Sequence, residues 1–171
     1  MNERAGEIRK LCEDLRRDYD QGTEVPDPRT LSEELGARVR YFPLGGLKGF
    51  YTLLNGIPFI VLEQELPEPL LRLVCAHELG HHLLHRPLAE KAVFNEYELY
   101  QMENVLEREA NLFAAFLLIP DRAVRAFCSP ENRGTSLMEA ARLCGTTEEL
   151  FAIRLRAEGL GTDVRLSRFP I

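Results

Sequence analysis

Four histidines and one glutamate fall within CAHELGHHLLH, residues 75–85, and the chain has no other histidine. In an α-helix, residues four apart lie about 40° apart around the axis and one turn along it. His77 and His81 therefore point the same way, and their imidazoles can share one metal ion. Glu78 is rotated about 100° from His77 and about 60° from His81. It borders the metal face without occupying it, the place for a base acting on metal-activated water, as in the H-E-x-x-H pattern. The helix is otherwise apolar, with Leu70, Leu71, Leu73, Val74, Leu79, Leu83 and Leu84 around these groups. Imidazoles and a carboxylate buried among such side chains need a partner, and a cation supplies one.

The other two histidines differ. His82 lies about 100° round from His81, a poor position for a third ligand, and reads as a surface residue. His85 is four residues beyond His81 and shares its face, so it is placed to hydrogen-bond a ligand or a catalytic group. The longer spacing H-E-x-x-H-x-x-G-x-x-H fails, because Leu84 stands at its glycine and Pro87 at its final histidine. The third ligand should then be a carboxylate from another helix. ENVLEREANLFAAFLL offers Glu103, Glu107 and Glu109. Ala110, Asn111, Ala114 and Leu118 lie within about 60° of Glu107, and the two alanines let another backbone approach closely. Glu109 is about 160° away from Glu107, and Glu103 lies a turn earlier, where the helix is only starting. Geometry favours Glu107, then Glu103, then Glu109.

These residues need a scaffold. Ile8, Leu11, Cys12, Leu15 and Tyr19 follow helical spacing. Thr30 and Glu33 have capping-box spacing for a short second helix closed by Gly36. Residues 37–63 are rich in branched and aromatic side chains, and Asn55-Gly56 is a hairpin signal. They read as a small, mainly antiparallel sheet of three strands packed against helices. The long histidine helix follows, then a loop or broken helix over 86–101, then the glutamate helix ending at Ile119-Pro120. A C-terminal helix pair has Ser136 with Glu139, and Thr146 with Glu149, as its caps. The fold class is α+β, with a core over 1–125 and a helical lobe over 126–171 packed on it.

The net charge of -6 and pI near 5.3 argue against wrapping nucleic acid by general electrostatics. The N-terminus is too charged for a signal peptide, and no run reaches the length of a membrane span. A cytoplasmic protein is the expectation. Cys12, Cys75, Cys128 and Cys144 are scattered and form no CxxC, so free, mainly buried thiols are expected.

HELGHHLLH followed by EREANLFAAFLLIP resembles the ImmA/IrrE family of zinc metallopeptidases over roughly residues 25–125. The resemblance implies a zincin-like core and zinc as cofactor. It makes His77, His81 and Glu107 the ligands, Glu78 the catalytic glutamate, and Asn111 the family's companion polar residue. It also implies endopeptidase action on a specific protein, a helix-turn-helix repressor of phage, mobile-element or stress genes. His85, Tyr97 and Tyr100 are candidates to support the tetrahedral intermediate. Two rival classes remain: a catalytically inactive zincin-like binding module, against which the intact Glu78 stands, and a helix-turn-helix DNA-binding regulator. For the latter, the C-terminal pair has the right spacing, but Arg154 and Arg156 are interleaved with Glu148, Glu149 and Glu158.

Overall fold

A computed structural model describes residues 3–19, 25–89 and 105–161. Its most apolar strand segment takes the centre of the sheet. β1 (Arg38–Phe42) and β2 (Gly49–Leu54) flank β3 (Ile57–Glu63), whose Ile60, Val61 and Leu62 are buried. β2 and β3 form the expected antiparallel hairpin around Asn55 and Gly56, both with positive φ, as a tight two-residue turn requires. The other ladder, β1 with β3, is parallel, so the sheet is mixed. The reason is topological: β1 and β2 run in opposite directions on either side of β3, so one of them must run with it.

The helices stack behind the sheet. α1 (Glu3–Asp18) buries the stripe Ala5, Ile8, Cys12 and Leu15. α2 (Pro28–Glu34) begins one turn earlier than the Thr30–Glu33 pair suggests. Asp27 is its cap, accepting from the Arg29 and Thr30 amides, and Pro28 sits where no donor is needed. α3 (Glu68–Ala89) carries the histidines and α4 (Val105–Leu118) the Glu107 face. α3 packs on β2 and β3 on one side and on α4 on the other, while α4 also meets α1 and the last helix. Among the described residues, no helix is long and apolar enough to cross a membrane.

α5 (Asp121–Cys128) follows Pro120, and the expected division after residue 125 falls inside it. α6 (Leu137–Leu143) is capped by Ser136 as expected; α7 (Glu148–Ala157) is capped by Thr147, one residue beyond Thr146. Leu150, Phe151 and Leu155 of α7 belong to the same core cluster as Leu73 and Phe113. Arg154, which the sequence offered as a DNA-facing charge, is 1% exposed. Its guanidinium donates to the Ile119 carbonyl at 3.1 Å, pairs with Asp121 and Glu158, and lies over the Phe116 ring. Cys12 and Cys75 are buried, Cys144 is half-buried and Cys128 is exposed; all four are free.

Gly80 sets the distance between α3 and α4. A Cβ there would lie 3.2 Å from Ala110 Cα and 3.2 Å from the Phe113 ring. Gly80→Val should therefore force the two helices apart and destabilise the protein by about 1–3 kcal/mol. Gly6 in α1 has nothing within 4 Å of its absent Cβ. Gly6→Ala should instead stabilise by about 0.5–1 kcal/mol through helix propensity. Urea unfolding of the two variants beside the parent checks both signs.

Candidate metal centre

α3 is buried along most of its circumference, and all four histidines and Glu78 are buried with it. From the facing helix, Glu107 and Asn111 enter the same space, also buried. His77 Nε2 and His81 Nε2 lie 3.1 Å apart. Glu107 Oε2 is 3.2 Å from the first and Glu107 Oε1 is 3.2 Å from the second. Tetrahedral ligation at about 2.0 Å separates neighbouring ligand atoms by about 3.3 Å. The triangle fits a small divalent cation.

The tautomers sharpen this fit. His77 Nδ1 donates to Asn111 Oδ1 at 2.9 Å, which leaves the lone pair on Nε2. His85 Nε2 lies 3.3 Å from Glu109 Oε2, a carboxylate that Arg4 holds at 2.7 Å and keeps below the usual carboxylate range. An ionised carboxylate only accepts, so His85 donates from Nε2 and accepts at Nδ1. The 3.0 Å contact between His81 Nδ1 and His85 Nδ1 is then a donation from His81, leaving the lone pair of His81 on Nε2 too. Three lone-pair donors thus face one another, and Glu107 Oε1 is buried without a hydrogen-bond partner. A cation among them relieves that arrangement.

The titration shifts report the same demand for positive charge. Burial pushes His77 down, yet Glu107 and Glu78 raise it further than burial lowers it. Burial holds His81 at about 4. Burial also pushes the Glu107 carboxyl up, but the two imidazoles facing it overcome this and hold it at about 2. Glu78 is raised to about 7 by burial, against the pull of His77. Its Oε2 is buried with no hydrogen-bond partner, and its carboxylate also meets the backbone amide of Tyr51 in β2.

The structure brings together His77, Glu78, His81, His85, Glu107 and Asn111. Glu109 faces away from the triangle, as its helical phase requires, and supports His85 instead. His82 corrects the sequence reading: it is buried, not on the surface. Its Nε2 donates to the Leu35 carbonyl at 3.3 Å and its Nδ1 meets the Tyr51 hydroxyl at 3.1 Å. Helical phase showed that His82 leaves the metal face, but not that α2 and β2 cover the face it turns to. Tyr51 and Arg4 were missed; alternation along GFYTLL marks Tyr51 as inward-facing, whereas nothing local marks Arg4. Tyr97, Tyr100 and Glu103 lie outside the described residues.

Comparison with known proteins covers the same elements. A relative, the uncharacterized immunity region protein 2 of Bacillus phage phi105, is 35% identical over 104 residues, or 61% of this chain. That match spans 63% of the relative's length. The family model described as a peptidase of the IrrE N-terminal-like domain type matches residues 32–156, from α2 through α7. Since that match includes both helices of the His77–His81–Glu107 group, the chain belongs to the IrrE N-terminal-like family of peptidases.

Proposed function

We propose that this protein is a zinc-dependent endopeptidase that cleaves a specific protein, a repressor with a helix-turn-helix. The observation that supports it best is the triangle of lone-pair donors with the orphaned Glu78 Oε2 beside it. His77, His81 and Glu107 would hold the metal, and zinc there supplies Lewis acidity toward a carbonyl and lowers the pKa of water.

The chain's own groups do the rest. Glu78, raised toward neutrality by burial, accepts the proton of the attacking water and delivers it to the departing amine nitrogen. Asn111 and His85 fix the tautomers of His77 and His81. β2 is the sheet edge beside α3, and it receives an extended substrate segment. Its parity follows from Pro58, which has no amide hydrogen and pairs with Leu53. Leu53, Tyr51 and Gly49 are therefore the residues whose amides turn away from β3, and the Tyr51 amide is the one that meets Glu78. The phage relative's name places it in an immunity region, which accords with a repressor as substrate. The DNA-binding reading loses Arg154, whose charge is spent inside the core.

Glu78→Gln should retain zinc and fold while abolishing cleavage, since an amide cannot take a proton from water. His77→Ala should lose zinc and cleavage together. The assay is mass spectrometry of any helix-turn-helix repressor found encoded beside this gene, after incubation with zinc-loaded protein, alongside metal analysis. Near-normal cleavage by the Glu78→Gln protein would sink the mechanism and return the binding-module reading.

Asn111→Ala and His85→Ala should each weaken zinc binding about 10–100-fold through loss of tautomer control. Competition with a chromophoric chelator measures this without any substrate. Unchanged affinity in both would show that Asn111 and His85 merely fill space.

A further inference from the structure

A second concavity lies at the other end of α4. Leu118, in its wall, is eleven residues (118 − 107) from Glu107, about 16 Å along the helix. The cavity holds about 810 Å³, within the size range of small-molecule sites. Leu118, Phe127 and Phe151 give it an apolar floor, and three arginines, Arg72, Arg122 and Arg142, line it with no carboxylate among the described residues of its wall. That is a local reversal in a chain of net charge -6. Two nearby acids are engaged elsewhere: Glu68 pairs with Arg29, and Asp121 with Arg9 and Arg154. Among the described residues, the side chains of Arg72 and Arg142 make neither a hydrogen bond nor an ion pair, whereas Arg122 is engaged.

Arg72 lies against the turn between α6 and α7, where Gly145 has φ +61 and a Cβ would stand 2.8 Å from its Nη1. Thr146, the next residue, is buried with an unpartnered hydroxyl. An apolar floor with guanidinium groups in its wall selects an apolar body with an anionic head. We propose that this cavity binds a small amphipathic anion, an organic carboxylate, sulfonate or phosphate with an aromatic or short aliphatic body. The ligand sits where α3, α4, α5, α6 and α7 come together, apart from the histidine cluster.

Anilinonaphthalenesulfonate titrated into the full-length protein tests this by fluorescence, without metal or protein substrate, so the result is independent of the peptidase reading. One saturable site is expected, emptied by decanoate and not by decyltrimethylammonium. Arg72→Gln with Arg142→Gln should weaken the probe about tenfold or more. Ala126→Trp, at an exposed position on the cavity wall, should block it with all charges intact. Arg142→Gln alone, also exposed, keeps the charge test available if the double variant does not fold. Probe binding unaltered by these substitutions, or displaced equally by the cationic amphiphile, would overturn the proposal. So would capture of an acidic amphipathic peptide that decanoate cannot displace, which would make the surface a protein-docking groove.

Discussion

Two helices can bring a histidine pair and a glutamate within 3.2 Å only if their backbones almost touch. Gly80 on α3 and Ala110 on α4 make that approach, and both lie one residue beyond or before a group of the cluster. The small residues are therefore part of the site's geometry as much as of its packing. His77, Glu78, His81, Glu107 and Asn111 are all buried, with fully buried Phe113 and Ala114 beside them on α4. Enclosure is what makes the lone pairs costly, and what makes a cation there favourable.

The same enclosure requires each imidazole to hand its second nitrogen to something fixed. His77 reaches only across to α4, through Asn111. His81 reaches along its own helix to His85, then to Glu109 on α4 and Arg4 on α1. One side of the cluster is thus tied to a buried amide, the other to a half-exposed ion pair at the rim. His82, turned the opposite way, ties α3 to Tyr51, whose backbone amide also meets Glu78. β2 and the histidine helix are held together at the residue next to the proposed base.

How much of this is legible in the chain depends on whether a relation is local. The spacing of His77, Glu78 and His81 is read directly, because helical phase fixes it within one element. The preference for Glu107 over Glu109 follows from phase on a second helix, together with the alanines beside it. Partners separated by many residues leave no such trace: Arg4 finding Glu109, or Leu35 accepting from His82, requires knowing which faces meet. The sheet shows the same division. Asn55-Gly56 announces the hairpin, but whether β1 joins β2 or β3 depends on which strand is apolar enough to be central. Arg154 is the sharpest instance, an arginine in a mixed-charge helix that looks solvent-facing until Asp121 and Glu158 are placed around it.

Arg154 also supplies the comparison that separates a structural cluster from a functional one. Around it, Arg9 and Arg154 face Asp121 and Glu158, two positive charges against two negative, and each guanidinium nitrogen of Arg154 has its acceptor. Nothing is left over, so the group closes α7 onto the core and asks for no further partner. The histidine cluster is equally buried and is not closed. Glu78 and Glu107 bring two carboxyl groups, Asn111 and His85 set the imidazole tautomers so that Nε2 lone pairs point inward, and an oxygen of each carboxyl group lacks a hydrogen-bond partner. Carboxyl oxygens and imidazole lone pairs buried around one point leave a shortage of positive charge there, which the raised Glu78 also reports. A divalent cation is the species that matches it in both charge and coordination.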